Sequence, residues 1–498
     1  MMLAHDTMAA LTFRARRFAE RTAVVCGSHQ LSYAELDDRV GRLAQMLVEA
    51  GLKAGDVASV YGPVGWEWVV AYHAVLRAGA TVNPINALLT ADEVGFILSD
   101  CNSKFLFADS SRREMLFAAG LVGDIKVIPF EDVDALTEQG PTLPLPDDFS
   151  TDAISTVCYT SGTTGRPKGA MLSHRSVMMN AALTALMHGR GSHDITVSAL
   201  PLAHVYGTVV MNSTLLSGGK LVLLPAFDPR STIEAIVEHQ ATRFEGVPTM
   251  YYRLLTELPK VDALPQSLTM CTVGGQTMPV DKMRLVEQAF GCPLIELWGM
   301  SEIGGLGTTF PWTGPRTLGS IGIPLPFMQV RVFEAATGRL PGDGEVGELQ
   351  IRGPLVMNGY LGNAVATAEV LSEDGWLSTG DIVRINADGN IYIIDRAKDL
   401  ILTSGNNVYP AEIERVIGDL PGVVMVGVGR DPHPDKGEVP HAYLVLAAGA
   451  ELSEGEVIAH CRAHLAPYKI PRSVSFVADI PKTSSGKIMR RALVELRP

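Results

Sequence analysis

Tyr159-Thr160-Ser161-Gly162-Thr163-Thr164-Gly165-Arg166-Pro167-Lys168-Gly169 is the stretch on which the reading of this chain turns. It packs three glycines, four small hydroxyl side chains (Thr160, Ser161, Thr163, Thr164) and two cations into eleven residues. A strand-like segment, Ile154-Ser155-Thr156-Val157-Cys158, leads into it. Glycines let the backbone approach an anion and turn its N–H groups inward. The hydroxyls add donors and the lysine supplies a point charge. The stretch therefore reads as a phosphate cradle. It is not a Walker A loop, in which glycine directly precedes the lysine and Ser or Thr follows. Here Pro167 precedes Lys168 and Gly169 follows. The competing reading is a flexible surface loop of small residues, which has no use for an ordered lysine behind a proline.

Length and composition bound the rest. A chain of 498 residues is too long for one ordinary domain, so a large domain plus a smaller one is expected. Hydrophobic residues make up 47% and charged residues 19%, which supplies a large core and argues against disorder. The net charge of −13 repels nucleic acid, so an anionic ligand must be held by local charge and dipoles. Six cysteines are scattered without a CxxC pair, and the histidines show no metal-ligand spacing. That points to a reduced, cytoplasmic protein without a zinc site. No signal-like apolar segment opens the chain, and no run of eighteen apolar residues occurs, so no membrane span is expected.

Strand-like and helix-like segments alternate along most of the chain. Thr90-Ala91-Asp92-Glu93 is a capping box that opens a helix, and residues 104–108 follow as a strand. Residues 220–224, 242–246, 268–273 and 293–298 are short β-rich runs, with helical patterns at 231–239 and 279–290 among them. This is the rhythm of a parallel sheet covered on both faces. From Met328 to Arg352 the pattern becomes strand, turn, strand. Gly342-x-Gly344-x-x-Gly347 formally matches a dinucleotide fingerprint but no helix pattern follows, so it reads as turn chemistry. The last hundred residues read as a separate small domain, with strand-like runs at 391–395, 423–428 and 442–446. The charged segment Asp395-Arg396-Ala397-Lys398-Asp399 reads as a solvent-compatible linker.

Further motifs carry chemistry. In Pro201-Leu202-Ala203-His204-Val205-Tyr206-Gly207 the histidine sits between prolines and glycines, which suggests a loop. Val273-Gly274-Gly275-Gln276 places glycines at a strand end, where a flat ring can approach the backbone. Trp298-Gly299-Met300-Ser301-Glu302 offers a stacking face, a hydroxyl for phosphate and a carboxylate for a cation. Ser378-Thr379-Gly380-Asp381 reads as a tight turn presenting a carboxylate, and Arg396 follows fifteen residues later. Taken singly, each has a bland reading: an edge histidine, a helix cap, a surface turn, a linker arginine.

Together and in this order, the motifs resemble those of the adenylate-forming superfamily, which includes acyl- and aryl-CoA synthetases. The resemblance covers residues 159–490 directly, with Trp298 and Ser301 where the family pattern has Tyr and Thr. It implies an α/β fold: a large N-terminal domain of parallel sheets with a small β-barrel-like subdomain, residues 1–395, and a mobile α+β lid, residues 396–498. It implies ATP, Mg²⁺ and coenzyme A as cofactors and co-substrates. Thr160, Ser161, Gly162, Thr163, Thr164, Gly165 and Lys168 would hold the phosphates. Gly274, Gly275, Gln276, Trp298, Gly299, Met300, Ser301, Asp381 and Arg396 would hold the rest of the nucleotide. Glu302 would carry the metal, and His204 would gate the carboxylate pocket. Lys398 matches the hinge, and Gly405 leaves room for the pantetheine arm. Lys487, in Pro481-Lys482-Thr483-Ser484-Ser485-Gly486-Lys487, matches the catalytic lysine.

The implied reaction is activation of a carboxylic acid to acyl-AMP, followed by transfer to a thiol. Coenzyme A is the expected thiol, and a separate carrier protein is the alternative. The pocket for the acid falls on His204, Val205, Gly246, Val247, Gly274 and Gly304, which bring no cation for a second carboxylate. Leu297 stands where malonate-activating relatives carry an arginine. An apolar monocarboxylic acid, aliphatic or aromatic, is expected, since a buried unpaired carboxylate is costly. Monomer and homodimer both stay open.

Overall fold

The computed structural model describes residues 7–145, 150–160, 167–261, 265–334, 338–340, 342, 344–396, 399–403, 406–447, 449–482 and 488–497. Ser161 to Gly165, Lys398, Gly405 and Lys487 lie outside the described residues.

Two large sheets carry the N-terminal part. In one, Ile195–Ser198, Arg243–Gly246, Met270–Val273 and Leu294–Met300 are consecutive parallel neighbours. Antiparallel strands Gly305–Thr309 and His29–Ser32 lie toward its two edges. In the other, Lys126–Pro129, Ser103–Ala108, Val57–Tyr61, Thr81–Ile85 and Ile154–Thr160 run parallel. Lys168–Ser173 closes that sheet antiparallel to Ile154–Thr160.

Helices fill the space between the sheets. Trp66–Arg77 is buried at every position except Glu67, as a helix enclosed between two layers must be, with Trp68, Val69, Val70, Val75 and Leu76 among its apolar contacts. Its core cluster joins Val24 and Leu221 of one sheet to Val60, Val82 and Phe107 of the other. Tyr33–Glu49 begins at a capping box between Ser32 and Glu35 and turns Leu36, Val40, Leu43 and Leu47 inward. The box at Thr90 and Glu93 is present as expected and opens Ala91–Asp100.

The expected barrel-like subdomain is a four-stranded antiparallel sheet: Gln329–Phe333, Val346–Arg352, Leu377–Ile385 and Ile391–Arg396. Two sequence expectations are corrected here. Residues 391–395 belong to this sheet rather than to the C-terminal one. Residues 378–381 lie inside the strand Leu377–Ile385 rather than in a free turn, and the ladder to Val346–Arg352 shifts register beside them. Gly380 takes a φ of +73° there, which a glycine adopts without strain.

The C-terminal sheet has its own core. Gly437–Leu446 pairs with Val423–His433 and, in parallel, with Ser473–Phe476. Helices Pro410–Gly418 and Glu454–His464 cover one face through Ile413, Ile417, Val457 and Cys461. Tyr443, Ile480 and Leu493 pack on the other. Among the described residues, no helix is long and apolar enough to cross a membrane.

Candidate active site

The carboxyl ends of parallel strands are where an open α/β sheet presents its loops to a ligand. Arg243–Gly246 leads into Val247, Met270–Val273 into Gly274–Gln276, and Leu294–Met300 into Ser301 and Glu302. From the second sheet, Thr160 ends one strand and Lys168 begins the next, and the two are register partners. The cradle 161–167 thus joins two antiparallel strands.

These ends meet in one cleft of about 2650 Å³, which the four-stranded sheet and the C-terminal part also line. Thr160, Lys168, His204, Val205, Gly275, Gln276, Trp298, Gly299, Met300, Ser301, Glu302, Asp381 and Arg396 all face it. Gly246, Val247, Gly274 and Gly304 are not on its surface; their neighbours Pro248, Gly275 and Gly305 are. Gly274 presses against Leu297, and a Cβ there would collide with that side chain. Its glycine therefore serves strand packing at the site's wall.

Asp381 is a buried carboxylate of the cleft with two side-chain partners. Its Oδ2 accepts the Trp298 indole N–H at 2.8 Å. Its Oδ1 pairs with Arg396 Nε at 2.7 Å. The two pairings hold the carboxylate and the indole ring in fixed orientation, which is the pre-organisation a binding site needs. Tyr360 is a residue that sequence reasoning missed. Its hydroxyl donates to Glu302 Oε1 at 2.8 Å, and Lys168 Nζ lies 5.3 Å from its ring centroid. Met357 N donates to the Glu302 carbonyl at 2.8 Å, and Leu361 N to the Gly169 carbonyl at 2.8 Å. One short segment thus ties the metal-candidate carboxylate to the cradle. Its signal was Gly359-Tyr360-Leu361-Gly362, an aromatic between glycines.

His204 caps a helix, a correction to the loop expected for it. Val205–Ser217 is a buried helix that the strand-and-helix pattern did not disclose, and His204 Nδ1 accepts Tyr206 N–H at 3.2 Å. Beneath it, Thr272 donates to Glu245, which pairs with Arg190. Tyr206 therefore donates to Thr272 Oγ1, at 2.6 Å. This buried chain fixes Tyr206 as a wall of the cleft.

The AMP-binding enzyme family matches residues 11–361, and its C-terminal domain matches residues 412–487. The chain belongs to the AMP-binding enzyme family. It is an AMP-forming acid–thiol ligase by class. A feruloyl-CoA synthase of Amycolatopsis sp is 36% identical over 480 residues, 96% of each chain. A long-chain-fatty-acid–CoA ligase of Bacillus subtilis is 32% identical across 97% of this chain and 93% of that one. ATP-bound MatB from Rhodopseudomonas palustris superposes with a TM-score of 0.92 at 31% identity, covering 99% of both chains. The apo form of MatB gives a TM-score of 0.81, with 98% of both chains covered.

In this AMP-binding enzyme three buried carboxyls, Glu296, Glu302 and Asp395, lie on the cleft with their acidity weakened by burial. Glu302 is raised above the usual carboxylate range by desolvation, which the Tyr360 hydroxyl partly offsets. Among the described residues no group of three or more His, Cys, Asp or Glu is placed to hold a metal. As a single buried carboxylate on the cleft, Glu302 has the donor chemistry for a magnesium ion that would take its other ligands from phosphate and water. A cation there would offset the desolvation of the carboxylate.

Glu296 was not anticipated. It sits two residues before Trp298, on the same face of Leu294–Met300. Burial pushes its carboxyl up to about 8, although Gly319 N–H donates to it at 2.7 Å. A carboxyl raised in the folded state gives stability that is full below about 4.5 and is lost as pH climbs toward about 8. Glu296→Gln should therefore raise the melting temperature at pH 8 relative to wild type and leave it nearly unchanged at pH 4.5. Thermal melts across that range check this, and a pH-independent difference would rule it out.

Proposed function

We propose that this enzyme activates an apolar monocarboxylic acid, aliphatic or aromatic, as acyl-AMP and transfers the acyl group to coenzyme A. The observation that carries the reading is the single cleft that collects Thr160 and Lys168, the Trp298–Asp381–Arg396 set, Glu302 and His204. In the first half-reaction a carboxylate oxygen attacks the α-phosphorus of ATP and pyrophosphate leaves. Such chemistry is mostly positioning and charge neutralisation. Lys168 and the 161–167 loop hold the outer phosphates. Asp381 and Arg396 hold the sugar side, and Trp298 stacks on the base. Glu302 holds magnesium, which neutralises charge on the triphosphate when bound. Lys487 stabilises the charge that develops between carboxylate and α-phosphate.

In the second half-reaction a thiolate attacks the acyl carbonyl and AMP leaves. Residues 396–498 form a lid that turns about Lys398 between the two steps, withdrawing Lys487 and bringing the Gly405 loop to the pantetheine arm. The enzyme works in the cytoplasm, in line with cysteines that are all free thiols.

The acid is read from the cleft. Val205, Tyr206, Pro248, Tyr252 and Val273 line it, and these five bring no cation to pair a second carboxylate. A panel of acids assayed for pyrophosphate release, with and without coenzyme A, tests the reading. Medium-chain fatty acids and aryl carboxylates should release pyrophosphate and give CoA thioesters. Malonate and succinate should stay at background. A dicarboxylate preferred by about tenfold or more would overturn it.

A further inference from the structure

Arg490 follows the lysine loop, and its guanidinium gathers three carboxylates. Nε and Nη2 donate to Glu414 at 3.1 and 2.7 Å, a fork-on-fork pairing. Nη1 donates to Asp399 at 2.8 Å and lies 3.8 Å from Asp395 Oδ1. All four side chains are at most one-fifth exposed, and that of Asp395 is 1% exposed.

The carboxylates stand at different places along the chain. Asp399 follows Lys398 directly, and Glu414 lies on Pro410–Gly418, where it also accepts Val428 N–H at 2.8 Å. Both belong to the C-terminal side. Asp395 lies before the proposed pivot, in the four-stranded sheet. The linker reading of Asp395 is thereby corrected, because its carboxylate is buried and fully engaged. Oδ1 accepts Arg396 N–H at 2.7 Å, and Oδ2 accepts Ala411 N–H, at the start of Pro410–Gly418, also at 2.7 Å. Its neighbour Arg396 reaches the other way, to Asp381 in the nucleotide cleft.

Arg490 also sits at the root of the loop that carries Lys487. Lys482 and Ile488 form an antiparallel bridge, and Met489 N donates to the Pro481 carbonyl at 2.8 Å. Moving Arg490 therefore moves the stem of that loop. A rotation about residues 397–398 would carry Asp399, Glu414 and Arg490 together and pull them away from Asp395.

We propose that Arg490 is a positioning residue that docks the Lys487 loop for adenylation by engaging Asp395 across the hinge, and that this contact opens for thioester formation. The inference rests on the two half-reactions proposed above. Burial pushes the Asp395 carboxyl up to about 6, and Arg490 is the strongest influence opposing that rise. The overall arrangement also follows the ATP-bound relative more closely than its apo form.

The test separates the half-reactions in single-turnover assays on the full chain, with hexanoate or benzoate as probe acid. Acyl-AMP formation is followed by pyrophosphate release, and thioester formation by supplying the synthetic acyl-AMP with coenzyme A. Arg490→Gln should slow the first step by about thirtyfold and leave the second within about threefold. Asp395→Asn is the gentler variant, since an amide oxygen still accepts from Ala411. It should slow the first step by about three- to tenfold and leave the second unchanged or faster. Equal loss in both steps for Arg490→Gln, or no loss in the first step for both variants, overturns the inference. A wild-type enzyme that makes acyl-AMP and thioester while the variants behave so sinks this inference alone. A wild type that performs neither step with any acid of the panel sinks the underlying reading, and this inference with it.

Discussion

Lys487→Ala should slow acyl-AMP formation by about 10²- to 10³-fold, the loss typical of removing one well-placed charge-stabilising donor. Thioester formation from supplied acyl-AMP should stay within a few-fold of wild type. The structure brings the flanks of this lysine to the cleft: Lys482, Ile488 and Met489 all line it. Lys487 directly precedes Ile488 in the chain, and its role would be to meet charge that develops between a carboxylate and an α-phosphate. It has no such task in the second step, where the thiolate attacks the acyl carbonyl and AMP departs as a phosphate anion that is stable on its own. Single-turnover pyrophosphate release and thioester assays give both numbers. Equal falls in the two steps would make Lys487 a structural residue and remove its catalytic role.

Glu302→Gln comes next in size. It should cost about a hundredfold in the adenylation rate and raise the magnesium concentration needed for half-maximal activity, because the metal that Glu302 would hold supplies several kcal/mol of charge stabilisation at the phosphoryl oxygens and binds more weakly without the carboxylate charge. The fold should survive. The amide oxygen still accepts from the Tyr360 hydroxyl, and side-chain volume barely changes. The sign of the stability effect follows from burial. A carboxyl whose folded value is raised loses stability as pH rises above its ordinary value of 4.5. A neutral amide does not, so the variant should melt no lower than wild type at pH 8 without metal. A magnesium titration indistinguishable from wild type would take the metal away from Glu302. A lower melting temperature would show that its carboxylate is a structural anchor.

Much of the chemistry proposed for this site was legible in the chain because it is local. The cradle at 159–169, the Trp298–Glu302 run and the glycines at 274 and 275 announce themselves through residue types at fixed spacing. A tight turn or an anion cradle calls for residue types that stand next to one another in sequence. The alternation of short β-rich runs with helical patterns likewise disclosed the parallel sheets, since period and length differ between the two elements. Val205–Ser217 escaped because a helix buried on all sides has no polar face to mark its turns.

What sequence alone determined was the inventory: which side chains carry charge, where the backbone can bend, and in what order the parts arrive. Pairing was decided by the tertiary structure. Trp298 and Asp381 are 83 residues apart, Tyr360 and Glu302 58 apart, and Arg490 and Asp399 91 apart, yet each pair is hydrogen-bonded. No local periodicity encodes such contacts. They arise when strands from different sheets end at one crevice and burial leaves each polar group to find a partner or bear the cost of desolvation. Asp395 shows the difference most plainly. In sequence it is one charge in a charged linker; in the fold it is a buried carboxylate joining two helix and strand ends and facing Arg490, because the sheet that ends at Arg396 lies directly against the start of Pro410–Gly418.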